Sequence, residues 1–448
     1  MGTRWLIGVA LLAWVPASLA APLLDGSTIR ETTLPNGLKL IVKPDPAWDL
    51  VVVNFCVKAG PLYESPDQQG LSDLVRYMMY EVSGSSGPSV SEAFEDLGAD
   101  FDASTTPDST QIRCAMSAQA LPALFPKLVK ATMEPEFSER VWMQKLPELR
   151  RRLMDAQGSP ATRLFGLLWE TAFRQHPYGR PVSVTPDRLA SYTTQSFVDF
   201  HKNFYAPGNI ALIVAGGVSY EAMADLAQKE LGSYPARPFK LPAVAPEPEQ
   251  TDYRTRLEKA PLRGTLLAYA WRAAGMANKR DVCTLDVIYA LLGEGQNARL
   301  ARALSKQDKA TAVPEVQFIT KRDPGLFIVT CVCTPESEYE ARDALLTEIG
   351  KLRTEKLSAS DLAAAKDVVL SGYAFDASTL VGQVGCLAFY EAIDTWRFAV
   401  DYPDEVQKVT AEDVQRVAQT YLDPAKYTLV IIRPQSGGDA SKEARLTP

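Results

Sequence analysis

The feature that most constrains this chain is that it repeats itself. "TTQSFVDFHKNFYAPGNIALIV" (193–214) and "TAEDVQRVAQTYLDPAKYTLVI" (410–431) have equal length and sit 217 residues apart, position 410 against position 193. Each opens on a threonine suited to capping a helix. Each then carries apolar residues at helical spacing: Phe197, Phe200 and Phe204 in the first, Val414, Val417 and Tyr421 in the second. Pro207 and Pro424 stop the two helices at matching positions, because proline has no N–H to donate, and an apolar strand follows each. At 448 residues the chain is too long for one ordinary domain. The repeat therefore predicts two domains of similar fold.

Earlier segments agree with that division. "LVVVNFCVKAG" (50–60) and "TLLAYAWRAAG" (265–275) both read as strands running into a small-residue turn, and a helical pattern follows each. Between the halves, "YPARPFKLPAVAPEPEQTDY" (234–253) is rich in proline and reads as an extended connection. The expected fold class is α+β, with two homologous domains, each a β-sheet packed with helices. They are placed at 22–235 and 254–436, with the linker over 236–253 and a polar tail over 437–448.

The N-terminus has one basic residue, Arg4, then an apolar run from Trp5 to about Ala17, then small residues ending "SLA" at 18–20. That run is too short to span a bilayer, which takes about 20 residues. Residues 1–20 read as a cleaved secretory signal, which implies an exported, periplasmic or extracellular protein; a buried N-terminal helix is the plainer alternative. No other segment is apolar enough to span a membrane. The formal charge is −7, with 47 Lys and Arg against 54 Asp and Glu. The basic residues form no cluster of the kind that neutralises phosphates, which argues against nucleic acid as a partner. Six cysteines, at 56, 114, 283, 331, 333 and 386, show no metal-type framework. Cys56 and Cys114 are able to pair in an oxidising compartment, and buried apolar thiols are the other reading.

"GLSDLVRYMMY" (70–80) puts Leu71, Leu74, Val75, Met78 and Met79 on one helical face, with Asp73, Arg76 and Tyr77 beside or opposite it. Taken alone it is a core helix. In context, "KAGPLYESPDQQGLSDLVRYMMYEVSGSS" resembles the start of the insulinase/pitrilysin family of zinc peptidases, which includes the mitochondrial processing peptidases. Further along, "FEDLGADFDASTTPDSTQ" (94–111), "HPYGRPV" (176–182), "YAPGNIALIVAGGV" (205–218) and "LSASDLAAAKDVVLSGY" (357–373) resemble that family's later motifs in the same order.

The resemblance implies an inverted zinc motif, H-x-x-E-H, whose histidines lie one turn apart on a helix with a glutamate between them as general base. Here those positions hold Asp73, Arg76 and Tyr77. A third ligand, a glutamate in the family, falls at Arg152, eight residues before Pro160, whereas Glu148 is too early. Catalytic zinc wants three protein ligands from His, Cys or carboxylate. A guanidinium cannot give up its proton to act as a base. Relatives also carry an arginine and a tyrosine that steady the substrate carbonyl; the corresponding positions here are Ser305 and Ala312. The chain is thus expected to hold no catalytic residues, metal or cofactor of its own, with zinc only in a partner subunit. His176 and His201, its only histidines, read as structural. There is no G-x-S-x-G nucleophile elbow, and the glycine pair at 293–295 lacks the G-K-[ST] of a phosphate loop.

What the resemblance preserves is a peptide-holding strand. Asp102, Ala103 and Ser104 fall where the family's substrate peptide adds by main-chain hydrogen bonds; a plain edge strand is the structural alternative. The expected function is that of a non-catalytic subunit pairing with a zinc-bearing homologue around a peptide-degrading chamber. A stand-alone peptide-binding or holdase-like protein of the envelope, acting on peptides or unfolded proteins, is the alternative from another class. An active zinc metalloendopeptidase is the third reading.

Overall fold

Strands whose residues are apolar on both faces need a cover on both sides, and that requirement organises this molecule. The computed structural model describes residues 24–83, 87–295, 298–305 and 314–435. The proposed signal, the polar tail and Ala312 lie outside the described residues. Mixed α/β structure surrounds two sheets. The first contains β1 (Arg30–Thr33), β2 (Lys39–Pro44), β3 (Leu50–Val57), β4 (Asp100–Thr105), β5 (Thr110–Ser117) and β6 (Ile210–Gly216), in the order β1-β2-β6-β3-β5-β4. The second contains β7 (Arg254–Ala260), β8 (Thr265–Arg272), β9 (Glu315–Phe318), β10 (Leu326–Cys333) and β11 (Thr428–Pro434), in the order β7-β11-β8-β10-β9. Apart from β1 the two orders are the same. In each, one parallel pair (β2–β6, β7–β11) joins a run of antiparallel neighbours.

The repeated helices form as their caps predict. Thr193 accepts a hydrogen bond from Ser196 N, and Thr410 from Asp413 N, each within a reciprocal capping box. The helices Thr194–Phe204 and Ala411–Tyr421 then bury Phe197, Phe200, Phe204, Val414 and Val417, while Tyr421 is half-buried.

The cover over each sheet's second face is exchanged between the halves. Helix Pro160–Ala172, from the first half, packs on β7, β8 and β11 of the second sheet. Its repeat counterpart, Leu380–Ile393, packs on β3 and β6 of the first. Leu164, Leu167 and Leu168 share a core with Ala268, Ala270, Val430 and Ile432. Leu380, Val384 and Leu387 share the other with Ile41, Val52, Ala211 and Ile213. The connection between the sheets is docked along the first half. Phe239, Leu241 and Val244 pack on its core, and the buried Glu247 carboxylate accepts from Arg174 N, Gln175 N and His176 N at 2.8–3.0 Å.

All six cysteines are free thiols. Cys56 packs with Val52 in one core and Cys114 with Val53 in the other, so the two point to opposite faces of the sheet and cannot bridge.

Candidate functional site

Helix Leu71–Tyr80 is held at its start by backbone chemistry. Gly70 has φ +79°, and a Cβ there would sit 2.3 Å from the Val184 backbone, so only glycine fits. The buried Glu64 carboxylate accepts from Gly70 N (2.7 Å), Ser72 N (2.7 Å) and Ser72 Oγ (2.6 Å), satisfying the first turn's free donors. Burial pushes its carboxyl up to about 7, against the pull of those donors and of Arg180. Leu71, Leu74, Val75, Met78 and Met79 are all buried, which fixes the helix's rotation.

That rotation presents Asp73, Arg76 and Tyr77 together. Arg76 is buried and donates to Asp73 Oδ1 from Nε (3.1 Å) and Nη2 (2.9 Å), and also pairs with Glu81 just beyond the helix. Its Nη1 donates to the main-chain carbonyl of Ala103 (3.1 Å). Burial opposes the charge, but Asp73 and Glu81 outweigh it and raise the guanidinium's affinity for its proton. The second oxygen of Asp73 accepts from Ser183 Oγ (2.7 Å). Arg152, on helix Glu139–Gln157, lies over the Tyr77 ring, 5.2 Å from its centroid. Burial holds the Tyr77 phenol above its ordinary value, against the opposite pull of Arg152. Asp73, Arg76, Tyr77 and Arg152 are therefore one cluster. Its donor set does not fit zinc: Asp73 already has two donors, the tyrosine keeps its proton, and two guanidiniums repel a dication. Among the described residues no group of three His, Cys, Asp or Glu side chains is placed to hold a metal.

The edge strand passes beside this cluster. Thr106 N donates to Ser109 O at the hairpin end, so Thr106 turns its main-chain groups toward β5. Alternation then turns Asp102 and Ser104 toward β5, opposite Arg113 and Gln111, and turns Ala103 toward the open edge. Of the three residues expected to hold a peptide, Ala103 alone offers its N–H and C=O outward, and Arg76 already takes the C=O.

The remaining expected positions lie elsewhere. Ser305 ends a short helix, Arg299–Ser305, and donates to Ala301 O (2.8 Å). His176 accepts from Tyr178 N at Nδ1, which leaves the ring proton on Nε2 to meet Asp323 (3.2 Å) across the junction of the halves. His201 donates to Thr132 O (2.8 Å), and burial lowers its proton affinity. Sequence reasoning missed Glu81, Ser183 and Glu64. Glu81 had a signal, since an arginine on a buried helix needs an acid within reach and Glu81 is the next one along.

Residues 39–186 match the family profile described as insulinase (peptidase family M16), and residues 191–369 match that of the peptidase M16 inactive domain. The chain belongs to the M16 peptidase family. Among M16 relatives, it is 23% identical to the zinc protease PqqE of Helicobacter pylori, covering 90% of this chain and 93% of that one. It is also 23% identical to a probable mitochondrial-processing peptidase subunit beta of Arabidopsis thaliana, covering 95% and 82%. Among solved structures, a protease from Helicobacter pylori superimposes with a TM-score of 0.84 at 20% identity, covering 91% of this chain and 99% of that one. An M16 inactive-domain protein from Pseudomonas fluorescens does so with 0.81 at 18%, covering 92% and 99%. These confirm the α+β architecture of two helix-packed sheets.

Proposed function

We propose that this M16 protein is a non-catalytic subunit of an exported metallopeptidase, pairing with a zinc-bearing homologue to complete a peptide-degrading chamber. One observation carries the reading: Arg76, at the position the resemblance gives to the general base, is ion-paired to Asp73 and Glu81. A group so neutralised neither activates water nor accepts a proton. The helix that carries it is fully packed, as a subunit kept for its shape requires. Among the described residues no helix is long and apolar enough to cross a membrane, which is compatible with export behind a cleaved signal.

Co-expression with a zinc-motif homologue from the same cell tests this. The expected result is stoichiometric co-purification, zinc in the homologue only, and peptide cleavage by the pair but not by this chain. Zinc and cleavage in the isolated chain would overturn the proposal. Peptide binding by a chain that pairs with no homologue would favour the stand-alone peptide-binding reading, since β4 has an open edge.

A further inference from the structure

A cavity of about 820 Å³ opens on the face of the first sheet opposite helix Leu71–Tyr80, between Arg113 on β5 and the helices Ala359–Asp376 and Leu380–Ile393. Two of its features are unexplained by folding. Its rim carries Phe375, Val368 and Phe389, large apolar side chains that are 79%, 39% and 37% exposed. Exposed apolar groups gathered at one opening mark a binding surface. Its walls include Gly372 and Gly385, each inside a helix, where glycine is a poor helix former. A Cβ at either would meet nothing within 4 Å, so no steric demand explains them, and what they keep is open space.

Charge selects the occupant. Glu294 and Asp376 lie at the opening, and Asp286, deeper in, is hydrogen-bonded to the Tyr402 hydroxyl (2.9 Å). Burial pushes the Asp286 carboxyl up to about 7, so the two outer acids carry the negative charge that disfavours the carboxylate or phosphate head of a lipid. An extended peptide brings apolar side chains with no charge of their own. We propose that the cavity seats large apolar side chains of an extended peptide segment, a recognition site separate from the emptied zinc frame. It rests on reading the chain as a peptide-handling subunit.

The test is fluorescence anisotropy with the purified full chain and short fluorescein-labelled Gly/Ser peptides carrying a central Phe-Leu pair or Ala-Ala in its place. The Phe-Leu peptide should bind at least about tenfold more tightly, and Gly372→Leu with Gly385→Leu should abolish that difference. Leucine favours helix at both positions, so the melting temperature should hold or rise. Phe375→Ser, at a side chain already exposed, should weaken the Phe-Leu peptide even if the double variant misfolds. Equal binding of the two peptides, full binding by the filled-in variant, or displacement of the peptide by decanoate would overturn the site. So would a chain that self-associates through this face, seen by sedimentation. Capture of the zinc homologue by the filled-in variant is measured in parallel. Pairing retained with the peptide preference absent refutes the cavity alone; the preference present with pairing absent refutes the subunit reading alone.

Discussion

At the residue scale, the positions that the resemblance assigns to a zinc site hold an ion-paired guanidinium in this chain. The arrangement is self-consistent: Asp73 and Glu81 supply the carboxylates that a buried arginine requires, and the Ala103 carbonyl takes a further donor. Restoring the motif alone should therefore fail. The triple variant Asp73→His, Arg76→Glu, Tyr77→His should hold well under one zinc per chain after dialysis, read by atomic absorption, because the Arg152 guanidinium still lies against residue 77, where the resemblance puts the third ligand. Adding Arg152→Glu should bring the content to about one zinc per chain. A triple variant that fills completely would show that Arg152 is not at the metal position.

At the scale of elements, β4 is an open edge whose usable groups alternate. Ala103→Pro removes an outward N–H while leaving the bonds that Asp102 and Ser104 make with β5, and edge strands tolerate proline at such positions. If peptides add along this edge, the variant should bind them about tenfold more weakly with a melting temperature within about 5 °C of the parent. Unchanged anisotropy titrations would mean that the edge is plain structure. Helix Leu71–Tyr80 shows the limit of local reading. Its apolar face is legible from spacing, as Leu71, Leu74, Val75, Met78 and Met79 show. Its anchorage is not, because Glu64 reaches Gly70 and Ser72 only through the turn Pro66–Gln68, and Val184 is distant in sequence.

At the scale of the molecule, the two halves are tied by the exchanged helices and by a polar junction. There Asp323 meets His176 and Arg322. Burial pushes the Asp323 carboxyl up, but hydrogen bonds from His176 and Arg322, with the charge of Arg322, prevail and hold it down at about 2, against an ordinary 3.8. A depressed carboxyl stabilises the fold fully above its unfolded value and loses that contribution as pH falls through the folded one. The wild-type melting temperature should therefore drop between about pH 4 and pH 2, and Asp323→Asn, lacking a contribution of about 1–2 kcal/mol above pH 4 once its partial exposure is allowed for, should drop less over that range. Parallel calorimetric curves for the two proteins across that range would exclude the junction as the cause.

Sequence by itself determined what is local or a matter of chemical identity. Thr193 and Thr410 cap their helices, Pro207 and Pro424 end them, and alternating apolar residues make the strands. A lost ligand is likewise decided at once, since no tertiary arrangement turns Arg76 into a base. Tertiary structure alone decided which surfaces meet. Helices Pro160–Ala172 and Leu380–Ile393 announce an apolar face, but both sheets offer matching apolar faces, and only the course of the chain in space assigns each helix to the opposite half. The same holds for Cys56 and Cys114, which sequence left free to pair and the sheet separates, and for the cavity between β5 and the late helices. Periodicity reports that a side chain must be buried; which partner buries it is a non-local choice among surfaces of equal polarity.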